Sequence, residues 1–289
     1  MPEITLSAGT LDYQDSGGDG PVLVLTHGLT MDHTVWRKVL PSLTPRYRCI
    51  TPVLPLGGHR HAMHPDADLT HRGIARLLEE FLIALDLHDV TLVLNDWGGG
   101  QLMISEGRDD RLARLVLVAC EAFDNYPPGI GARSIAKMAR VPGGLWLVMQ
   151  ALRSRTVRRA PGSWGWLSKR PVPDEVMTRW FEPATTRADI RRDLAKYSVS
   201  APDSATQLAW SDQMRSFTRP VLIVWATEDR LMPREHGPRL AELYPNSRLV
   251  EIDDSYTLVP EDQPNRLAEV LLDFLAATDQ RQASRVEGD

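Results

Sequence analysis

Short apolar runs alternate along the chain with segments whose apolar positions recur every three or four residues. The runs at residues 21–26, 46–53, 89–95 and 112–119 have the length and the β-branched content of buried strands. Residues 69–85 instead predict an amphipathic helix. Its apolar face consists of Leu69, Ile74, Leu77, Leu78, Phe81, Leu82 and Leu85. Strands that alternate with helices in this way predict an α/β protein with a mostly parallel sheet and helices on both faces.

The alternation is interrupted between residues 123 and 217, where tryptophans, Pro-Gly pairs and amphipathic helical pieces replace the strand patterns. Strand patterns return at residues 220–226 and 248–252, and a closing helix is predicted at 263–277. At the other end, residues 2–7 and 10–15 predict a leading hairpin. We therefore predict a core made of residues 1–122 and 218–277, an inserted helical cap at 123–217, and a polar, flexible tail at 278–289.

Composition excludes several classes of function. The chain has 289 residues, of which 43% are hydrophobic, so it is long enough to bury a full core. The net charge of -5 argues against nucleic acid as a partner. The N-terminus lacks the pattern of a leader and no apolar segment reaches about 18 residues, which predicts a cytoplasmic protein without membrane contact. Cys49 and Cys120 lie in apolar runs and are expected to be buried free thiols without a metal or redox role. The sequence does not indicate an oligomeric state.

The most informative segment is residues 92–100, where an apolar strand ends at Asp96 and three glycines follow after one residue. A sharp strand-to-helix turn displays its central side chain and needs small neighbours, as in a nucleophile elbow. A displayed carboxylate attacks alkyl carbon without the help of a base and forms an ester. This chemistry points to carbon–halogen or epoxide bonds. The structural alternative is an Asp that caps the next helix.

Further motifs accompany this turn. They are His27-Gly28-Leu29-Thr30 after the third strand, Trp36, Asp96-Trp97-Gly98-Gly99, and Asp229 within the turn at residues 226–233. Together they resemble the α/β-hydrolase superfamily and, within it, the aspartate-nucleophile branch of haloalkane dehalogenases and epoxide hydrolases. The resemblance implies an eight-stranded α/β-hydrolase fold with a helical cap, Asp96 as nucleophile and Asp229 as the acid of the triad. It also implies that His27, Gly28, Leu29 and Trp97 form the site that stabilises the leaving group, and that no metal or organic cofactor takes part.

The resemblance fails at the third member of the triad. The family places a histidine in the loop after the last strand, where this chain has Tyr256, and no histidine follows His236. A tyrosine with its ordinary pKa near ~10 is a poor base at neutral pH. The usual route for hydrolysing an ester on Asp96 is therefore missing. Leu29 and Thr30 also depart from the side chains that dehalogenases and epoxide hydrolases carry at those positions.

Three interpretations follow. In the first, the protein is a hydrolase acting on a small to medium apolar substrate, and an unusual group activates water. The auxiliary candidates are His59, Glu121, Asp124 and Asp254, with Tyr197 of the cap as a proton donor to an epoxide oxygen. In the second, Asp96 is a general base and Tyr256, held by Asp229, is a proton donor for ring opening, elimination, isomerisation or cyclisation. In the third, the protein binds a small ligand without turnover.

Overall fold

A single eight-stranded sheet organises the computed structural model, which describes the backbone of residues 1–286 and the side chains of residues 1–279. The strands are β1 (Glu3–Leu6), β2 (Gly9–Asp15), β3 (Val22–Leu25), β4 (Arg48–Pro52), β5 (Val90–Asp96), β6 (Leu112–Cys120), β7 (Val221–Ala226) and β8 (Ser247–Ile252). Their spatial order is β1-β2-β4-β3-β5-β6-β7-β8. Strands β1 and β2 pair antiparallel, β2 pairs antiparallel with β4, and the remaining pairs are parallel. The predicted fold class is confirmed.

The helices lie between these strands and after β8. They are α1 (Leu40–Leu43), α2 (His71–Ala84), α3 (Leu102–Ser105), α4 (Gly129–Met138), α5 (Gly144–Ala151), α6 (Arg155–Arg159), α7 (Asp174–Thr186), α8 (Ala188–Val199), α9 (Ser204–Gln213), α10 (His236–Leu243), α11 (Val259–Asp262) and α12 (Pro264–Val286). Helix α2 begins two residues later than predicted because Thr70 caps it, and the Thr70 hydroxyl accepts the N–H of Gly73 at 3.1 Å. In the part of the chain that the structure describes, no helix is long and apolar enough to cross a bilayer.

Buried strands surround the point where the site forms. Every residue of β5, β6 and β7 is buried, as expected for central parallel strands covered by helices on both faces. Cys49 and Cys120 are buried and unpaired in this core, as predicted. The carboxyl ends of β5, β6 and β7 therefore open into a water-poor region, and polar side chains placed there are desolvated.

The last helix differs from its prediction. Helix α12 continues to Val286, so residues 278–286 of the predicted flexible tail are helical, while residues 287–289 lie outside the described part. Two polar side chains of this segment make contacts that favour the helix. The hydroxyl of Thr278 donates to the carbonyls of Phe274 and Leu275, both at 2.9 Å. The carboxylate of Asp279 pairs with Arg114 of β6.

Helices α4 to α9 fill the chain between β6 and β7, and polar contacts tie them to the core. The indole N–H of Trp180 in α7 donates to the Thr34 hydroxyl at 2.8 Å. The carboxylate of Asp193 in α8 accepts the N–H of Met63 at 2.8 Å and contacts Nε2 of His59 at 3.3 Å. These contacts hold the helices over the carboxyl ends of the central strands.

Candidate active site

Asp96 ends strand β5 in a backbone conformation that favours glycine. Its φ is 62°, which a residue with a side chain rarely adopts outside turns under constraint. The N–H of Glu121 donates to the carbonyl of Asp96 at 2.9 Å and fixes this turn against the end of β6. The short helix that follows begins at Gly99, with Gly98 at its N-cap. Asp96 therefore does not cap that helix, and the turn displays its carboxyl group.

Gly28 and Leu29 lie directly against this carboxyl group. A Cβ atom on Gly28 would come within 1.8 Å of Asp96 Oδ2, so only glycine allows the approach. The N–H of Leu29 lies near the Asp96 carboxylate and lowers its pKa. A backbone N–H at this place can stabilise negative charge on Asp96 or on an oxygen that develops charge during reaction.

His27 shapes this turn from inside the protein. Its Nε2 accepts the N–H of Leu54 at 2.9 Å, so Nδ1 carries the proton and donates to the carbonyl of Gly28 at 2.9 Å. Burial lowers the pKa of His27 to about 4, which keeps the ring neutral. The side chain of Trp36 is also hydrogen-bonded to the backbone: its indole N–H donates to the carbonyl of Thr26 at 2.8 Å. Both side chains position the turn.

Asp229 lies within electrostatic range of Asp96. Its Oδ1 accepts the N–H groups of Leu231 and Met232, at 2.8 and 3.0 Å, and the Thr257 hydroxyl at 2.9 Å. Its Oδ2 is buried without a hydrogen-bond partner. Burial raises the pKa of Asp229 to about 6, against the lowering effect of these hydrogen bonds.

Tyr256 does not take the place that we predicted for it. Its ring stacks under two cations, with the Arg230 guanidinium 4.6 Å and the Lys169 ammonium 5.8 Å from the ring centre. The next side chain, Thr257, is fully buried and reaches Asp229 instead. Asn95 fixes this register, because its Nδ2 donates to the carbonyl of Thr257 at 2.8 Å. The prediction that Asp229 holds Tyr256 was therefore wrong by one residue.

The sequence contained a signal for the correct position. The family pattern places an acid two residues before a proline, and that acid lies five residues after the histidine. Asp262 lies two residues before Pro264, and the residue five positions before Asp262 is Thr257. If the count starts at Glu261 instead, it leads to Tyr256. Thr257 has no titratable nitrogen. Its contact with Asp229 therefore does not supply the imidazole that the family pattern places there.

Glu121 is brought to the site. It follows β6 and lines the same pocket as Asp96, and the N–H of Gly98 lies 3.4 Å from its Oε2. Burial, and then repulsion from Asp96, raise the pKa of Glu121 well above its usual range. Burial likewise raises the pKa of Asp96 to about 7, with repulsion from Asp229 adding to the effect and the Leu29 N–H opposing it. Two carboxyl groups whose pKa values are both raised by burial thus face one pocket.

The structure does not bring three of the other predicted auxiliary groups to Asp96. The ring nitrogens of His59 contact the Gly57 N–H and the Asp193 carboxylate, each at 3.3 Å. Asp124 is exposed and accepts the Ser204 hydroxyl at 2.6 Å. Asp254 lies on the surface and pairs with Lys169 and Arg170.

Trp97 and Tyr197 contact each other instead of the pocket. The indole N–H of Trp97 donates to the Tyr197 hydroxyl at 2.9 Å, and both side chains are fully buried. The ring of Tyr197 also stacks on His71, with 4.3 Å between ring centres. The indole N–H that the resemblance assigns to a leaving halide is therefore engaged within the protein.

The pocket around Asp96 and Glu121 is otherwise apolar or small. It encloses about 410 Å³, including the part open to solvent. Its other lining residues are Leu29, Pro128, Gly131, Ala132, Gly162, Ser163, Trp164, Leu167 and Leu231. Among the aromatic residues between β6 and β7, Trp164 lines this pocket, Trp180 and Phe181 are buried, and Trp146 is exposed.

Comparison with known proteins agrees with this architecture. Residues 21–264 match the model of the family described as alpha/beta hydrolase fold. A haloalkane dehalogenase of Mesorhizobium japonicum is 31% identical over 146 residues, which is 49% of this chain and 47% of that relative. The match thus spans about half the length of that relative. Haloalkane dehalogenase 2 of Mycobacterium tuberculosis is 23% identical over 273 residues and 92% of both chains.

Solved structures show the same fold. The crystal structure of a putative ancestral haloalkane dehalogenase superposes with a TM-score of 0.77 at 21% identity, covering 97% of this chain and all of that one. A thermophilic esterase from Thermogutta terrifontis superposes with a TM-score of 0.70 at 21% identity, over 96% of this chain and 99% of that one. The family match covers most of the sequence, and the chain belongs to the α/β hydrolase fold family.

Proposed function

We propose that this protein is a hydrolase that opens a bond between alkyl carbon and a leaving oxygen, as in an epoxide, by attack of the Asp96 carboxylate. The observation that carries the proposal is the display of Asp96 on a left-handed turn, against Gly28 and the Leu29 N–H, in an apolar pocket that it shares with Glu121. Desolvation of a carboxylate in such a pocket strengthens its attack on carbon.

The raised pKa of Glu121 supports oxygen as the leaving atom. A carboxyl group whose pKa is raised by burial holds its proton more tightly and can donate it to an epoxide oxygen. A halide leaves without a proton and needs hydrogen-bond donors instead, and the Trp97 indole N–H is engaged by Tyr197. A bromide or chloride leaving group is therefore the second candidate, favoured by the likeness to haloalkane dehalogenases.

The first step forms one bond and breaks one. An oxygen of the Asp96 carboxylate attacks an epoxide carbon, the carbon–oxygen bond of the ring breaks, and the Glu121 carboxyl proton moves to the departing oxygen. The products are a hydroxyalkyl ester on Asp96 and a carboxylate on Glu121. Esterification removes the negative charge of Asp96, which is one of the causes that raise the pKa of Glu121.

The second step restores both groups. The Glu121 carboxylate takes a proton from water while the hydroxide attacks the ester carbonyl of Asp96. The carbon–oxygen bond of the ester breaks, the departing oxygen takes the remaining proton of the attacking hydroxide and leaves as the diol, Asp96 returns to a carboxylate, and Glu121 again carries its proton. In this cycle Glu121 replaces the missing imidazole as the group that activates water.

Intact-mass spectrometry tests the proposal. Incubation with 1,2-epoxyhexane is expected to give the diol and a transient adduct on Asp96, while 1-bromohexane reacts more slowly. In water labelled with a heavy oxygen isotope, a single turnover is expected to place that isotope in the Asp96 carboxyl group. The matched control is Asp96→Asn, which should give neither adduct nor product. Failure to detect either with both reagents would show that Asp96 is not a nucleophile and would favour a ligand-binding protein.

The role of Glu121 has its own test. Glu121→Gln is expected to slow epoxide opening and to make any adduct on Asp96 persist. Asp124→Asn removes a carboxyl group outside the pocket and should leave both rates unchanged. Equal adduct lifetimes in the wild type and in Glu121→Gln would exclude Glu121 as the base.

A further inference from the structure

Residues 125–173, which include helices α4 to α6, carry a charge opposite to that of the whole chain. This stretch, which we call the basic segment, contains nine Lys and Arg and no Asp or Glu, whereas the net charge of the chain is -5. The cations are Arg133, Lys137, Arg140, Arg153, Arg155, Arg158, Arg159, Lys169 and Arg170. Any negative charge that balances them must therefore come from other elements.

Other elements balance only some of these cations. Asp174 and Asp254 pair with two cations each, and the four are Arg155, Arg159, Lys169 and Arg170. Arg158 is buried. The remaining four are exposed and have no carboxylate partner in the part of the chain that the structure describes, and they are Arg133, Lys137, Arg140 and Arg153. The guanidinium of Arg140, for example, donates to the carbonyls of Ala136 and Val199, both at 3.0 Å.

Large apolar side chains are exposed on the same segment. Their exposed fractions lie between 38% and 61%, and they are Ile130, Val141, Trp146, Leu147 and Val157. All other described side chains together add only Met1, Ile83, Val199 and Leu208 to this class. Single exposed apolar residues are ordinary, but a concentration of them marks a surface that contacts something other than water.

The cations and the apolar side chains share the outer faces of α4 and α5. Ile130, Arg133 and Lys137 are spaced by three and four residues and lie on the exposed face of α4, opposite the buried Ile135 and Ala136.

In α5, Leu145 and Met149 face the core and leave Trp146 and Leu147 exposed. Helices with Lys and Arg beside exposed Trp and Leu are typical of proteins that lie in the interface of a membrane.

The basic segment also forms one wall of the pocket that contains Asp96. Gly131, Ala132 and Gly162 line that pocket. Ile130 precedes Gly131 in the chain and packs on Gly162, where an added Cβ would lie 3.2 Å from Ile130 Cδ1. The exposed apolar surface therefore reaches the wall of the pocket.

From this arrangement we infer that the outer surface of α4 and α5 binds the anionic face of a lipid bilayer. The unpaired cations contact lipid phosphates, and Trp146 and Leu147 enter the boundary between headgroups and acyl chains. Charge and apolar contact together give the two signals that reversible membrane binding requires. The expectation of no membrane contact rested on spanning segments, which surface binding does not need. The inference goes beyond the proposed function and does not depend on it.

Cosedimentation with sucrose-loaded vesicles tests this binding. One set of vesicles is phosphatidylcholine alone, and the other contains phosphatidylcholine and phosphatidylglycerol in equal amounts. We expect the wild type to bind the mixed vesicles at least about tenfold more tightly, and to lose this preference at high ionic strength. Arg133→Gln combined with Lys137→Gln should weaken binding about twentyfold, because each cation near the surface contributes about fivefold. The matched control is Arg46→Gln with Arg248→Gln, which removes the same charge at the amino ends of β4 and β8 and should leave binding unchanged.

The apolar contact has a separate test. Trp146→Ser combined with Leu147→Ser should weaken binding to the mixed vesicles by at least about tenfold, while Ile83→Ser with Leu208→Ser, exposed on α2 and α9, should not.

Three results would overturn the inference. The first is equal binding of the wild type to both kinds of vesicle, or binding to neither. The second is equal weakening by the α4 pair and by its control pair. The third is a dimer, seen by sedimentation velocity without vesicles, that Trp146→Ser with Leu147→Ser dissociates, because the surface would then join two copies of the chain. Circular dichroism of each variant shows whether a loss of binding reflects a loss of fold.

Discussion

The hydroxyl of Thr257 donates to Oδ1 of Asp229 at 2.9 Å, and the other oxygen of that carboxyl group is buried without a partner. A hydroxyl can hold the carboxylate in place, but it cannot accept a proton from water at neutral pH. Under the proposed function, Asp229 is the acid of a triad in which a hydroxyl stands in place of the usual base. The remaining proton chemistry falls on the carboxyl groups themselves.

Restoring the imidazole at this position should restore the usual second step. Thr257→His is expected to shorten the lifetime of an ester on Asp96, because the new ring would lie beside Asp229 and face the ester. Rapid-quench mass spectrometry of the adduct measures this lifetime. The matched control is Tyr256→His, which places an imidazole between Arg230 and Lys169 on the outer side. Equal acceleration by both variants would contradict the position that we assign to Thr257.

Formation of the adduct should depend on pH through the ionisation of Asp96. Only the carboxylate attacks carbon, and the pKa of Asp96 lies at about 7, so the rate should rise as the pH increases through this value. Asp229→Asn removes the neighbouring charge that contributes to this raised pKa and should move the midpoint to lower pH. The measurement is the initial rate of adduct formation with 1,2-epoxyhexane. A midpoint near the ordinary value of Asp in the wild type would contradict the burial of this group.

The same ionisation should destabilise the fold at high pH. The folded-state pKa of about 7 lies above the ordinary 3.8, so the favourable contribution is complete below pH 3.8 and is lost as the pH rises through 7. The loss is on the order of 4 kcal/mol when fully developed. Asp96→Asn cannot ionise, and its stability relative to the wild type should increase between pH 4 and 8. Urea unfolding at several pH values measures the difference, and a constant difference would contradict the prediction.

Gly28 and Asp96 should be energetically coupled. In Gly28→Ala the new Cβ would lie 1.8 Å from Asp96 Oδ2, and the displacement should cost about 1 to 3 kcal/mol of stability and abolish adduct formation. In the Asp96→Ala background the Oδ2 contact is removed and the contact with the Cβ of residue 96 at 2.8 Å remains, so the same substitution should cost less. Thermal unfolding of the four proteins gives the coupling free energy. Additive effects would show that the two residues do not contact each other.

The sequence by itself determined the fold and the position of the sharp turn at Asp96. Apolar runs such as residues 89–95 and 112–119 are strands in any environment that buries both faces of a sheet, and the glycines after Asp96 permit few backbone conformations. Local pattern also predicted that helices replace the strand patterns between β6 and β7. These features depend on neighbouring residues in the chain, so the chain carries enough information to predict them.

Only the tertiary structure decided which side chains share the site. Asp229 contacts Thr257 and not Tyr256, which lies one residue earlier in the loop after β8. The hydrogen bond from Asn95 of β5 to the Thr257 carbonyl fixes this choice. Whether Glu121, His59 or Asp124 joins Asp96 depends on where separate loops end in space, and each had a similar local setting in the sequence. The raised pKa values of Asp96 and Glu121 likewise arise from burial and from charges distant in the chain. Desolvation and charge repulsion depend on distances in space, which no local pattern specifies.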